Sequence, residues 1–191
     1  MNTEALLIID MQSGSFESAR RHDADGVVAR INRLSEAFRR LEKPVIHIQH
    51  DGTKENCFFP GTAEWEILPS LVRADSDPVF AKTANDAFWR TSLDAWLRQR
   101  GIGTLYVTGC ATDYCVNATI HGALTRDYTL VVAGDAHTTA DRPLLSAVQL
   151  IAFHNWLWAD LTPTGGKIMV KPTESILLEL SGTGDAAHRK G

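Results

Sequence analysis

Short apolar runs alternate with longer segments of helical period along most of the chain, and this alternation limits the fold more tightly than any other feature. Ala5–Ile9 is apolar at every position, so a strand there is buried on both faces. Val45–Gln49, Asp77–Lys82, Thr104–Thr108, Thr129–Ala133 and Lys167–Val170 are the further strand candidates. Between them, Asp25–Leu41 carries Val27, Ile31, Leu34, Phe38 and Leu41 at helical spacing. Thr91-Ser-Leu-Asp94 resembles a capping box, and the helix it opens stops at Gly101. A helix over Thr112–Arg126 buries Val116, Ile120, Ala123 and Leu124. Asp141 and Pro143 suit the N-cap and first turn of a helix running to about Trp158. A last helix covers Thr173–Leu180 and ends before Gly182. Parallel strands need crossover helices, and a sheet buried on both faces needs helices on both. The expected fold is therefore α/β: one three-layer α/β/α domain over residues 1–182, with a mainly parallel, roughly six-stranded, Rossmann-like sheet. Residues 183–191 are expected to be a frayed tail.

Bulk properties narrow the function classes. The net charge is -4 and no Lys/Arg run marks a phosphate-binding face, which argues against nucleic acid and against an anionic membrane surface. The cysteines, Cys57, Cys110 and Cys115, are odd in number and irregular in spacing, so free thiols in a reducing compartment are expected. The start, MNTEALLIIDMQ, has no basic region before an apolar run, and no stretch reaches the ~18 apolar residues of a membrane span. A cytoplasmic address is the resulting expectation. No GxGxxG or P-loop follows a strand, which argues against a bound nucleotide. No cofactor is expected.

In such a sheet all strand C-termini meet at one edge, and ligands bind there. The reactive side chains just after strands are Asp10, then His50 and Asp51, then Lys82, then those of Gly109–Cys115, then Asp135 and His137. Cys115 falls in the first turn of a helix, where the backbone dipole favours a thiolate, and a nearby ammonium such as Lys82 would favour it further. A carboxylate at Asp10 can take the thiol proton and return it to a leaving amine. Singly, each residue has an ordinary explanation: an inert buried cysteine, a turn-forming aspartate, a solvated lysine. Together at neighbouring strand ends they describe a nucleophile, an acid/base and an electrostatic partner.

Three segments resemble the isochorismatase-like cysteine hydrolases, the superfamily that includes the nicotinamidases. They are Leu6-Leu-Ile-Ile-Asp10-Met-Gln12 with Phe16 following, Phe80-Ala-Lys82 with Ala87-Phe88, Thr91 and Leu93, and Gly109-Cys-Ala-Thr112-Asp-Tyr-Cys115-Val116. Their order and spacing match, and the similarity runs from about residue 4 to 160. The resemblance implies a catalytic triad of Asp10, Lys82 and Cys115. It also implies a cis peptide between Cys110 and Ala111, and an oxyanion hole formed by the amides of Ala111 and Cys115. It further implies a homodimer or higher homo-oligomer, with helices near the nucleophile loop at the interface. Nicotinamidases build a metal site on an Asp-x-His pattern after the second strand. Here that stretch is Ile48-Gln-His50-Asp51-Gly52, so no metal is expected and nicotinamide loses ground as a substrate.

Gln12, Phe16, His50, Trp89 and Tyr114 are the candidate substrate-binding residues. Core or interface packing is an equal explanation for the aromatic ones, and Gln12 can equally order Asp10. His137 and His154 lack ligand spacing and are expected to be structural or interfacial. The expected activity is hydrolysis of a C–N bond in a small-molecule amide, lactam or ureide through a Cys115 thioester. The alternatives are a vinyl-ether hydrolase of the isochorismatase type and a non-catalytic α/β binding protein.

Overall fold

The computed structural model describes residues 3–188. Six strands, β1 (Thr3–Ile9), β2 (Val45–His50), β3 (Val79–Lys82), β4 (Ile102–Cys110), β5 (Thr129–Thr138) and β6 (Ile168–Lys171), form one sheet in the order β3-β2-β1-β4-β5-β6. Every pairing is parallel. The α-helices are α1 (Ser13–Glu17), α2 (Ala24–Arg40), α3 (Leu93–Gln99), α4 (Asn117–Leu124), α5 (Ala147–Asp160) and α6 (Thr173–His188).

The apolar run of β1 divides by the two-residue period of a strand. Leu7 and Ile9 enter a core with Leu93 and Leu97 of α3, Ile120 and Ala123 of α4 and Trp158 of α5. Leu6 and Ile8 enter the opposite core with Val27, Ile31, Leu34 and Phe38 of α2 and Ile176 and Leu180 of α6. Two apolar faces covered by two helix layers give the expected three-layer α/β/α fold.

The chain enters the sheet at β1, winds outward through β2 to β3, and returns to the other side of β1 as β4. Between β1 and β4 the winding reverses, and a crevice opens at the strand C-termini. Gly109, paired with Ile9, holds the two strands close at that point. Its φ is +121°, and a Cβ there would lie 2.2 Å from the Ile9 carbonyl oxygen.

Several boundaries differ from expectation. β4 and β5 extend to Cys110 and Thr138, so Asp135 and His137 lie inside β5 rather than after it. The α5 helix starts at Ala147, behind a true capping box of Ser146 and Gln149. Asp141 instead accepts the Ala147 amide from outside the helix, at 2.8 Å. Thr91 and Asp94 make no capping box. The Thr91 hydroxyl donates to the Ala87 carbonyl at 2.6 Å, and Asp94 pairs with Arg98 and the Tyr128 hydroxyl. The α6 helix passes through Gly182 to His188, so most of the expected tail is helical and residues 189–191 lie outside the described chain. A glycine costs a helix only about 1 kcal/mol relative to alanine, too little to stop one anchored by Ile176 and Leu180.

Gly109→Ala is expected to destabilise the fold by about 3 kcal/mol or more, from the clash with Ile9 and the forced positive φ. Urea unfolding of the variant beside the parent protein measures it.

Candidate active site

Lys82 ends β3, is 2% exposed, and carries its ammonium among three acceptors. Nζ lies 2.7 Å from Asp10 Oδ2, donates to the Ala84 carbonyl at 2.9 Å, and donates to Cys115 Sγ at 3.3 Å. Of its three hydrogens, two are donated to Ala84 and Cys115, and the charge pairs with Asp10. Burial pushes its pKa down, but Asp10 and Cys115 outweigh burial and the net shift is upward, so Lys82 stays charged.

Asp10 follows β1 directly, with φ 47°, a left-handed conformation that aspartate tolerates better than most residues. It is 4% exposed, and its amide donates to the Ile48 carbonyl of β2. Asp10, Lys82 and Cys115 thus come from the ends of β1, β3 and β4 and meet at the crevice.

Cys115 does not sit in the first turn of an α-helix as expected. Thr112–Val116 is a turn of π-helix, and α4 begins only at Asn117. The Ala111 carbonyl accepts from the amides of both Tyr114 and Val116, at 3.1 Å each. Side-chain anchors draw this turn toward β5. The Thr112 hydroxyl bonds His137 Nδ1 at 2.8 Å. Asp113 takes a two-pronged pair from Arg142, with Nε to Oδ2 at 2.8 Å, and a bond from the Thr139 hydroxyl. The Cys110–Ala111 peptide is cis, as the resemblance implied. Burial first, then Asp10, raises the Cys115 pKa, and Lys82 offsets only part of this, which favours the thiol over the thiolate.

The remaining candidates divide. His50 ends β2 with Nδ1 3.5 Å from Lys82 Nζ and Nε2 3.6 Å from Glu55. Tyr114 is next to the nucleophile, 52% exposed, with the Arg142 guanidinium over its ring. Trp89 is equally exposed and packs under Arg90. Gln12 is a correction. It is fully buried, with Nε2 donating to the carbonyls of His50 and Trp65 and Oε1 accepting the His50 amide. Its polar atoms are committed to holding the ends of β1 and β2 together, which leaves no free donor for a substrate. Phe16 lines a cavity of about 860 Å³ with Arg21, Val28, Leu68, Ala140 and Asp141, and none of Asp10, Lys82 or Cys115 lines that cavity. Among the described residues, no group of three or more His, Cys, Asp or Glu is placed to hold a metal ion. Asp51 spends a carboxylate oxygen on the amide and hydroxyl of Thr53. His137 is buried and supports the nucleophile turn, its Nε2 meeting Asn155.

Sequence reasoning missed Asn85, whose Oδ1 lies 3.5 Å from Cys115 Sγ. Its position three residues after Lys82 was the available signal.

The isochorismatase-domain model matches residues 4–165. The chain belongs to the isochorismatase family. It is 31% identical over 141 residues to the isochorismatase family protein YddQ of Bacillus subtilis (strain 168), covering 72% of this chain and 78% of that one. It is 34% identical over 142 residues to the streptothricin hydrolase of Streptomyces noursei, covering 73% of this chain but only 56% of that longer protein. A ureidoacrylate amidohydrolase of Methylorubrum extorquens is 38% identical over 85 residues, 44% of this chain and 34% of its own. Among solved structures, an isochorismatase from Pseudomonas putida KT2440 superposes with a TM-score of 0.83 at 28% identity, over 90% of this chain and 89% of that one. A cysteine hydrolase from Pseudomonas syringae pv. phaseolicola 1448A shares the fold at 22% identity, with a TM-score of 0.83, over 94% of this chain and 92% of that one. Isochorismatase-family membership makes the chain one of a family of hydrolases.

Burial lowers the pKa of both His137 and His47 to about 4. The unfolded chain takes up these protons near pH 6.5, whereas the folded chain resists until about 4. Stability is therefore full above about pH 6.5 and falls as pH drops toward 4, by of order 3 kcal/mol for each histidine. Urea unfolding across that range checks the sign, and His137→Asn is expected to remove part of the slope.

Proposed function

We propose that the protein hydrolyses a C–N bond of a small-molecule amide, lactam or ureide, with Cys115 as nucleophile. The observation that carries this reading is the single ammonium of Lys82 in contact with both the Asp10 carboxylate and the Cys115 sulfur. The streptothricin hydrolase and ureidoacrylate amidohydrolase relatives support the bond type.

Because burial favours the thiol, deprotonation accompanies attack. Asp10 accepts the S–H proton while Sγ bonds to the carbonyl carbon. The backbone amides of Ala111 and Cys115 donate to the developing oxyanion. The tetrahedral intermediate collapses as Asp10 returns the proton to the leaving nitrogen, giving a Cys115 thioester and a free amine or ammonia. Water then attacks the thioester with Asp10 as base, releasing the acid and the thiol. Lys82 holds Asp10 in place and steadies the sulfur throughout.

Screening amides, lactams and ureides for ammonia or amine release tests the proposal. Cys115→Ala is expected to abolish turnover, and Asp10→Asn to lower kcat at least ~10²-fold. Mass spectrometry of the parent protein under turnover is expected to find an acyl group on Cys115. Full activity in Cys115→Ala overturns the reading, and turnover without any acyl-enzyme favours the vinyl-ether chemistry.

The working form is proposed to be a homodimer. The α5 helix carries no charged side chain from Ala147 to Ala159, packs against the nucleophile turn, and leaves an apolar ridge in solvent. Leu144 is 92% and Trp156 61% exposed, with Val148 and Phe153 between them. Sedimentation is expected to give twice the chain mass, and Trp156→Glu to give a monomer. A monomeric parent protein contradicts this assignment.

A further inference from the structure

The lysine loop places a second polar side chain against the sulfur, and its surroundings point outward to the substrate. Residue 85 is held firmly by its backbone. The preceding Ala84 carbonyl binds Lys82 Nζ. The Asn85 carbonyl accepts the hydroxyl of buried Thr119 at 3.4 Å, and the same hydroxyl oxygen accepts the Ala87 amide at 3.1 Å. The Asn85 side chain, by contrast, is exposed, and its Oδ1 accepts from Cys115 Sγ at 3.5 Å; among the described residues it has no other hydrogen-bond partner. A rigid backbone thus presents a free carboxamide at the mouth of the site.

We propose that Asn85 recognises the leaving nitrogen of the substrate and makes the site select an amide or ureide over the matching ester. The inference rests on the reading of Cys115 as nucleophile. When sulfur bonds to a carbonyl carbon, the nitrogen lies one bond further, within reach of a group already in contact with the sulfur. Asn85 Oδ1 then exchanges the weak S–H contact for the N–H of the substrate. The other neighbours of the sulfur do not compete for that N–H, because the Lys82 ammonium has no acceptor and Asp10 is occupied with the thiol proton. An ester oxygen has no hydrogen to donate and leaves the Asn85 acceptor unpaired, and unpaired polar groups are what give a site its strongest discrimination.

Alkylation isolates this recognition from turnover. Iodoacetamide and methyl iodoacetate have similar shapes, and both transfer their methylene carbon to Cys115 Sγ with loss of iodide; two bonds beyond that carbon the first carries an N–H and the second an ester oxygen. The ratio of their rates at Cys115, followed by peptide mass mapping and divided by the ratio for free N-acetylcysteine, is expected to favour iodoacetamide about 10-fold in the parent protein. Asn85→Leu, which keeps the shape without the acceptor, is expected to bring the ratio to within about twofold of the free thiol. Asn85→Gln, which keeps the carboxamide on a longer stem, is expected to retain part of the preference. An unchanged ratio in Asn85→Leu overturns the role of Asn85 while leaving the nucleophile in place. No modification of Cys115 by either reagent overturns the nucleophile reading itself, and Asn85 with it.

Discussion

A buried ammonium organises this protein. Lys82 lies at the end of β3, two strands away from β1, where Asp10 sits. Strands are about 4.8 Å apart, so β3 and β1 lie roughly 10 Å apart, and the Lys82 and Asp10 side chains close that gap from both sides over β2. The four-carbon stem of lysine is flexible and ends in a compact group with three donors. A buried charge without partners is destabilising, and the Asp10 carboxylate, the Ala84 carbonyl and the Cys115 sulfur together offset that cost for Lys82. The switch in winding between β1 and β4 brings two of those partners together, and Gly109 lets their strands approach.

Around that centre, a further layer fixes the nucleophile turn. His137, inside β5, joins Thr112 on one side to Asn155 of α5 on the other, and Asn155 itself donates to the Gly134 carbonyl. Arg142 ties Asp113 to the loop between β5 and α5. The turn that carries Cys115 is thus braced by side chains rather than by regular helix bonds, consistent with its π geometry. Deeper in the same layer, Trp158 donates its indole N–H to Asn117 at the start of α4.

Much of this was legible in the sequence because it follows short-range rules. The uniformly apolar β1 run and the helical spacing of Val27 to Phe38 were sufficient for the sheet and its layers, and the strand ends put Asp10, Lys82 and Cys115 among the candidates that the family resemblance then joined into a triad. What was not legible depends on partners distant in the chain. The π turn at Thr112 arises from contacts with His137 and Arg142. The side chain of Gln12 looked available until the ends of β1 and β2 claimed both its ends. Asp141 has a capping residue's chemistry, but the helix it faces starts later, at the Ser146 box. Asn85 belongs to no periodic pattern, and only the folded loop shows that it touches the sulfur.

The pairing of the Lys82 ammonium with Asp10 has an electrical consequence. One ammonium, one carboxylate and one neutral thiol sum to no net charge in the resting site. In the proposed reaction, the proton that leaves sulfur stays on Asp10 while the negative charge moves to the substrate oxygen, so the sum stays zero. An uncharged amide therefore enters, reacts and leaves without altering the total charge of a buried region, where net charge is hardest to accommodate. A substrate bearing an ion close to its scissile bond would bring an unbalanced charge into that region. In the proposed reaction, the ammonium that binds the site together also suits it to neutral groups.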